Sequence, residues 1–438
     1  MRTSVSRSTL QNLKRVVLLL VTVLFAHFLY RHLVEARMVT LLLMTVPEVP
    51  GELEPWRVHS IFERVAKVWH WRLLLVLMVF FSGLALVIRV RRRWGDKRAA
   101  ACLGALATLG LWLGIELLAA PFLLKPLDLY NYYFVYDVDH WPPPRHAGID
   151  TNADRVRGEF GGSPFREEDV NLLFLGDSFT FGFGLESADR AFPALVAEEL
   201  SSSSVTMRSA NFAWTSASPI LALRRLEEIG ERYHPDLVLY CFDMTDFHDD
   251  LRYGAQLDGS GIYWFYEKVP ILLSALQKHL PALFDGLYGA LNNLPRDRYF
   301  HSAQPLERSR QDMQTAIDGV DEIAEWARTR NLPFVLFVLP RTYQYSARES
   351  PKNREATFYR VLGPHSLEPF RFFDEIAKTR EYPMHSLLAA FQETAEFPTA
   401  FEDDPHWNEA GHRVAAEAMV HALLSEPTIR PLLEPDAP

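Results

Sequence analysis

Strand and helix signals alternate through the last two thirds of the chain, and this alternation constrains its fold more than any other feature. Apolar runs typical of strands occupy residues 171–176, 207–213, 235–242 and 332–339. Apolar residues at helical spacing occupy residues 192–200, 220–232, 308–330 and 411–424. Strands that alternate with helices favour a parallel sheet covered on both faces. We therefore expect an α/β fold with its functional groups beyond the carboxyl ends of the strands.

The first 125 residues carry three apolar stretches, at residues 16–30, 73–88 and 99–124. A membrane-spanning helix needs about 20 largely apolar residues. The third stretch is long enough, and flanking aromatic and basic side chains can extend the first two. The first could instead be a signal peptide, but no small-residue cleavage site follows it. We expect residues 1–125 to form a membrane anchor with about three transmembrane helices.

Charge is distributed unevenly between this part and the rest. Residues 1–125 carry 17 Lys and Arg against 7 Asp and Glu, whereas the remainder carries 28 against 48. Six of the basic residues lie between residues 89 and 98, in the segment that separates the second and third apolar stretches. Cytoplasmic loops are enriched in Lys and Arg, so three spans would place everything after residue 125 outside the cytoplasm. The acidic character of that part argues against a nucleic-acid partner.

The chain after the anchor divides into segments of different composition. Residues 126–170 are rich in Tyr, Pro and Asp and are expected to form a connector. We expect residues 171–426 to form the α/β domain and residues 427–438 to form a tail. The domain contains an insertion at residues 251–300, with an aromatic run at 263–266. We interpret the insertion as a lid, a wall of the substrate site, a membrane-surface helix pair or an additional packed helical layer.

Two segments at opposite ends of the domain contain the residue types of a nucleophilic site. A Gly-Asp-Ser turn follows the first strand and places the hydroxyl of Ser178 at the start of a helix, where backbone N–H groups can stabilise an oxyanion. Serine needs a base within hydrogen-bonding reach. His406 precedes the last helix, and Asp403 and Asp404 beside it can orient its imidazole. Either segment alone is common in loops, so the prediction depends on their occurring together.

Together these two segments resemble the SGNH/GDSL hydrolase family. Gly-Asp-Ser-Phe at residues 176–179 matches the first sequence block of that family, and Asp-Pro-His-Trp-Asn at 404–408 matches the last. The resemblance extends over residues 148–424 apart from the insertion. It implies an SGNH three-layer α/β/α sandwich in which Ser178 is the nucleophile and His406 is the base.

Two aspartates are candidates for the third member of the triad. The usual Asp-x-x-His spacing of the family selects Asp403, whereas relatives with an Asp-x-His-Trp run select Asp404. We favour Asp403 slightly and keep both. His412, one helical turn beyond the last block, is expected on the surface of the final helix rather than as a second base.

The two middle blocks of the family match only in part. At residues 211–216 the family has Asn-x-Gly-x-x-Gly, and here Ala213 and Ser216 replace both glycines. The resemblance implies that the Ser216 N–H is an oxyanion donor, provided that the turn forms without glycine. Thr245 replaces the asparagine that donates to the oxyanion in the family. Its hydroxyl is shorter and must direct its one proton correctly.

The resemblance and the expected location together predict the function. We expect an extracytoplasmic serine esterase that removes acyl groups, such as acetyl, from cell-surface glycans or other esters through a seryl ester. One alternative is an O-acyltransferase that acts on an exported polysaccharide, with a membrane protein as partner. The other is a non-catalytic SGNH scaffold or binding protein. The sequence contains no metal-binding cluster and no Gly-rich phosphate loop, so we expect neither a metal nor a cofactor.

Overall fold

The computed structural model describes residues 55–123, 151–152, 154–158, 169–202, 205–258, 269–292, 294–295, 297–352 and 361–433. These residues belong to two compact units. The first contains the residues up to 123 together with 269–287, and the second contains the others. The predicted apolar stretch at 16–30, most of the connector and the aromatic run at 263–266 lie outside the described residues.

Helices outnumber strands in the described part of the chain. The α-helices are α1 (Pro55–Trp94), α2 (Asp96–Leu113), α3 (Ala120–Leu123), α4 (Ser178–Phe181), α5 (Phe192–Leu200), α6 (Pro219–Ile229), α7 (Asp246–Leu257), α8 (Pro270–His279), α9 (Pro281–Asn292), α10 (Phe300–Ala303), α11 (Leu306–Arg328), α12 (Thr342–Tyr345), α13 (Glu368–Ile376), α14 (Leu388–Glu393), α15 (Glu409–Ser425) and α16 (Arg430–Leu433). A π-helical turn covers Gly114–Ala119, and 3₁₀ turns cover Ala188–Arg190, Gly230–Tyr233 and Ala377–Thr379. The strands are β1 (Val170–Gly176), β2 (Met207–Asn211), β3 (Leu237–Phe242), β4 (Phe334–Val338) and β5 (Met384–Ser386).

The second unit is built on a five-stranded sheet, which in the described part of the chain has the order β2-β1-β3-β4-β5. All neighbouring strands pair in parallel. The prediction of an α/β fold with a parallel sheet is therefore confirmed. The strands β1 to β4 correspond to the four predicted apolar runs, with ends that differ by a few residues. β5 has no counterpart among the predictions, because the three residues Met-His-Ser are not an apolar run.

Helices cover both faces of this sheet, because successive strand side chains point to opposite sides. On β1, Leu172 and Phe174 pack into a core with α5 and α15. Leu173 and Leu175 pack into a second core with α6, α11 and α13. The result is the three-layer α/β/α sandwich, and it leaves the carboxyl ends of the strands free to carry functional groups.

The insertion predicted at residues 251–300 is divided between the two units. α7 extends to Leu257 and belongs to the second unit, and so do the buried residues Tyr299 and Phe300. Of the described residues between them, 269–287 belong to the first unit. The boundaries between the two units therefore do not coincide with the predicted bounds of the insertion, which stay a prediction.

The first unit contains a long helical hairpin. α1 and α2 pack together through Val87, Val90, Ala99 and Leu106. Within the described residues, one helix, Asp96–Glu116, has the length and composition needed to cross a membrane, with a mean hydropathy of 1.6. It coincides with the third predicted apolar stretch, and the second stretch lies inside α1. The anchor of several spans stays a prediction.

Candidate active site

Ser178 lies where β1 ends and α4 begins. The Asp177 side chain accepts a hydrogen bond from the Phe179 N–H at 2.9 Å and so caps α4, a role for which aspartate is well suited. Gly176 has a φ of 152°, and a Cβ there would lie 2.3 Å from Thr180 Oγ1 and 2.8 Å from the Cys241 carbonyl oxygen. Only glycine fits this turn, which holds the Ser178 hydroxyl beyond the carboxyl end of the strand.

The imidazole of His406 contacts this hydroxyl. Nε2 of His406 lies 2.8 Å from Ser178 Oγ, although the two residues are 228 positions apart in the chain. A second oxygen, Oδ2 of Asp177, lies 3.2 Å from the same hydroxyl. Nδ1 of His406 forms a short hydrogen bond with Oδ1 of Asp404. The structure thus brings Ser178, His406 and Asp404 into one chain of hydrogen bonds.

Asp404, rather than Asp403, is the aspartate that the structure brings to the imidazole. The Asp404 carboxylate also accepts from the backbone N–H of His406 at 2.9 Å, which folds the loop into an Asx turn. Asp403 is exposed to solvent, and the hydrogen bonds of the imidazole are with Asp404 and Ser178. The slight preference for Asp403 is therefore not supported. The proline that follows Asp404 was the available signal, because Asp-Pro favours turn initiation.

Aromatic rings surround the His406 imidazole. The Phe179 and Phe183 ring centroids lie 5.0 Å and 4.9 Å from that of His406. Phe179 is buried and also packs edge-on against Trp407 at 5.1 Å. Phe183 is exposed, so it can present an apolar surface to a bound molecule. Sequence reasoning did not single out Phe183.

Ser216 adopts the backbone conformation that the family usually obtains with glycine. Its φ is 54°, in the left-handed region that non-glycine residues rarely occupy. The Tyr253 hydroxyl donates to the Ser216 carbonyl at 2.9 Å and stabilises the turn. The turn therefore forms with serine in place of glycine.

The Thr245 hydroxyl already donates to another side chain of the protein. Thr245 is fully buried, and its hydroxyl donates to Asp243 Oδ2 at 2.5 Å. The backbone N–H of Thr245 donates to the same oxygen at 2.8 Å. Since a threonine hydroxyl has one proton, that proton is already engaged. The expectation that Thr245 donates to the oxyanion is corrected by this bond.

Three buried carboxyl groups lie behind the nucleophile. Those of Asp177, Asp243 and Asp246 lie within 4.8 Å of one another. Burial, reinforced by the charge of Asp243, raises the pKa of Asp177 well above its usual value. Burial also raises the pKa of Asp246, whose carboxylate accepts from the Tyr240 hydroxyl at 2.8 Å. Both shifts favour the protonated forms.

Arg341 balances the third carboxyl group of this cluster. Burial acts to raise the pKa of Asp243, but the Arg341 guanidinium outweighs it and lowers that pKa below its usual value. Nε and a terminal nitrogen of Arg341 lie 2.9 Å and 2.7 Å from the two Asp243 oxygens. The Arg341 guanidinium thus balances the negative charge that remains on Asp243. Neither Asp243 nor Arg341 was singled out by sequence reasoning, since they are 98 positions apart.

His412 is buried, whereas the sequence predicted a position on the helix surface. Its Nδ1 accepts from the Phe192 N–H at 3.2 Å, and its ring stacks on that of Phe192. Burial lowers the pKa of His412 to about 3, so the ring is neutral at physiological pH. The residue joins α15 to the start of α5 and lies outside the hydrogen-bonded chain of Ser178.

A parallel sheet with a serine–histidine contact at its carboxyl edge is an arrangement typical of serine hydrolases. A family model described as GDSL-like Lipase/Acylhydrolase matches residues 172–419, which is more than half of the chain. The chain therefore belongs to the GDSL-like lipase/acylhydrolase family and is a hydrolase that acts on ester bonds. No curated protein matches it.

Several solved structures are similar to the chain at low identity. A member of the lipolytic protein G-D-S-L family from Veillonella parvula DSM 2008 is 10% identical, with a TM-score of 0.34, and covers 59% of this chain and 100% of its own. TesA is 16% identical, with a TM-score of 0.32, and covers 60% of this chain and 99% of its own. Axe2, an acetylxylan esterase from Geobacillus stearothermophilus, is 16% identical, with a TM-score of 0.31. It covers 58% of this chain and 95% of its own.

Proposed function

We propose that the protein is a membrane-tethered, extracytoplasmic serine esterase that removes acyl groups from glycans or other esters. The observation that carries this proposal is the 2.8 Å contact between Ser178 Oγ and His406 Nε2. A serine hydroxyl becomes an effective nucleophile when a base within this distance accepts its proton. The hydrogen bond of Asp404 to the other imidazole nitrogen supplies the orientation that such a base needs.

In the first half of the proposed reaction, Ser178 Oγ attacks the carbonyl carbon of the ester while Nε2 of His406 takes the hydroxyl proton. Asp404 keeps the proton on Nδ1 and stabilises the imidazolium that forms. The tetrahedral intermediate collapses, and His406 returns the proton to the leaving alcohol. A water molecule then attacks the seryl ester with His406 again as base, which releases the acid and restores Ser178.

The negative charge of the intermediate would be stabilised by backbone N–H groups. Ser178 is the first residue of α4, where N–H groups have no partner within the helix. The second donor is the N–H of Ser216, in a turn that already has the left-handed conformation. Thr245 is excluded by its bond to Asp243. Loss of one such donor typically lowers the rate by about 10²–10³-fold, so we expect slow turnover.

The exposed surface of α1 and α2 supports the membrane anchor. Large apolar side chains are exposed along both helices, at Leu75, Leu77, Met78, Phe80, Phe81, Leu86, Ile88, Leu103, Leu109, Leu111 and Trp112. Apolar patches of this extent are rare on surfaces that face water, and a bilayer would cover them. Four of the basic residues at 89–98 precede the span Asp96–Glu116 and two lie in its first turn, which favours a cytoplasmic start for the span and an external catalytic unit.

Covalent labelling of the full-length protein in detergent with a fluorophosphonate tests the proposal. The wild type should be labelled, and Ser178→Ala should not be. Ser187→Ala, which changes a serine that caps the 3₁₀ turn Ala188–Arg190, should be labelled like the wild type. The same preparations should release acetate from an acetylated xylo-oligosaccharide only where labelling occurs. A folded wild type that never becomes labelled would favour a non-catalytic scaffold.

A further inference from the structure

The described part of the insertion, residues 269–292, forms the two apolar helices α8 and α9. Its leucines at 272, 280, 283, 287 and 291 are 38–55% exposed. Leu283, Leu287 and Leu291 are four residues apart and therefore lie on one face of α9. The segment contains only three residues that can carry charge: Lys278, His279 and Asp285. A helix that faces water normally has a polar outer face, whereas here the outer face is apolar.

Other side chains of the helical pair are packed. Leu273 and Ser274 of α8 are buried, and so is Phe284 of α9. Phe284 is about 100° from Leu283 around the helix axis and borders the stripe of exposed leucines. The leucines themselves stay 38–55% exposed, so they present an apolar surface that the described residues leave uncovered.

Glu116 joins the start of α8 to the end of the candidate span. Its buried carboxylate accepts from the N–H groups of Ile271 at 2.8 Å and Leu272 at 2.9 Å. These amides belong to the first turn of α8 and have no partner within the helix. A carboxylate at a helix N-terminus is stabilised by the helix dipole as well. The start of α8 is therefore held at the level where the span Asp96–Glu116 ends.

We infer that α8 and α9 form an interfacial helix pair whose exposed leucines enter the same bilayer that the span crosses. The inference rests on the membrane anchor proposed above. Lipid is what covers the exposed leucines, because α8 begins at the end of the span, where the headgroup region lies. The exposed leucines up to Leu287 also belong to the same compact unit as the exposed apolar residues of α1 and α2. Amphipathic helices of this kind insert about 5–10 Å, to the boundary between headgroups and acyl chains.

This arrangement would restrict the substrates of the enzyme. The chain leaves the catalytic unit after α7, forms α8 and the first half of α9, and rejoins that unit at Tyr288. An inserted pair would therefore attach the catalytic unit to the membrane at a second point of the chain. The reachable esters would be those carried within a short distance of the bilayer, such as acyl groups on membrane-bound or newly exported glycans.

Spin labels on single cysteines of the full-length protein test the inference. The native residues are first changed by Cys102→Ala and Cys241→Ala, and the protein is reconstituted in phosphatidylethanolamine–phosphatidylglycerol vesicles. Leu287→Cys reports on the helix pair, and Leu103→Cys reports on the middle of the span. Leu367→Cys, an exposed leucine of the catalytic unit, is the aqueous control. Accessibility to oxygen and to a water-soluble nickel chelate is measured by electron paramagnetic resonance.

The inference predicts that the labels at 287 and 103 are accessible to oxygen and protected from nickel, with 287 the shallower of the two. The label at 367 should be accessible to nickel. Protection at 103 with nickel access at 287 would overturn the inference and leave the anchor standing. Nickel access at both positions would contradict the anchor itself. Protection of the label at 287 from both oxygen and nickel would also overturn the inference. Dipolar broadening between labels would then indicate a second copy of the chain, and no broadening would indicate another protein surface.

Discussion

The hydroxyl oxygen of Ser178 lies 2.8 Å from Nε2 of His406. β1 delivers Ser178 to the start of α4, and the loop before α15 carries His406 to the same edge of the sheet. The other imidazole nitrogen is bonded to Asp404. Because each of these contacts involves a different atom of the ring, the role of each partner can be tested separately.

Asp404→Asn should lower kcat by about 10²–10⁴-fold, because an amide at this position no longer holds the proton on Nδ1 of His406. Asp403→Asn is the matched control, since it changes the neighbouring exposed carboxylate. Its kcat should stay close to that of the wild type. Ester hydrolysis by both variants is measured after the folded fraction has been checked by circular dichroism. A larger decrease of kcat in Asp403→Asn than in Asp404→Asn would make Asp403 the partner of His406, as the common spacing of the family implies.

Thr245→Val should reduce stability more than activity. The Thr245 hydroxyl donates to the buried Asp243, so its removal leaves that carboxylate with one donor fewer. The expected decrease in the free energy of unfolding is about 1–3 kcal/mol. Thr245→Ser keeps the hydroxyl, so its free energy of unfolding should decrease less than that of Thr245→Val. Urea denaturation gives the stability, and kcat is measured per labelled Ser178. A kcat that falls 100-fold while the unfolding free energy is unchanged would show that Thr245 acts on the oxyanion.

Asp250 should make the stability of the protein depend on pH. Its buried carboxyl caps α6, accepting from the Ser218 hydroxyl and the Ile220 N–H, both at 2.8 Å. Burial raises the pKa of Asp250 to about 7. In the unfolded chain an aspartate releases its proton near pH 4. Stability from this group is therefore fully present below about pH 4 and is lost as the pH rises to about 7.

Comparison of the wild type with Asp250→Asn isolates this effect. The amide does not titrate, and it keeps an oxygen that can accept from Ser218 and Ile220. Between pH 4 and pH 8, the unfolding free energy of the wild type relative to the variant should fall by on the order of 4 kcal/mol. Urea denaturation at the two pH values measures the difference. A difference that stays constant, or that grows with pH, would mean that Asp250 is ionised in the folded protein throughout.

Hydrolysis and acyl transfer predict different products from the same donor. A hydrolase admits water to the seryl ester, whereas a transferase excludes water until an acceptor hydroxyl attacks. With p-nitrophenyl acetate and the full-length enzyme, we expect free acetate to form at a rate that added xylo-oligosaccharides do not change. Acetate and acetylated sugar are quantified together by chromatography. Acetylated sugar that accumulates at the expense of acetate would identify the protein as a transferase.

Much of the fold could be predicted because it depends on local patterns. The apolar runs that became β1 to β4 and the helices between them follow from residue periodicity, which backbone geometry imposes on any sequence. The position of Ser178 follows in the same way. Gly176 provides a turn that admits no side chain, and Asp177 caps the helix that begins at Ser178.

The tertiary structure alone decided which side chains are partners. The run 403–406 offers two carboxylates to His406, and the path of the loop brings Asp404 to the imidazole. Thr245 gives its one proton to Asp243, whose charge is held in place by Arg341, 98 positions farther along the chain. Periodicity and turn chemistry describe neighbours in sequence. Distances between side chains on different strands and loops arise only when the sheet has assembled, and these distances determine where a proton or a charge resides.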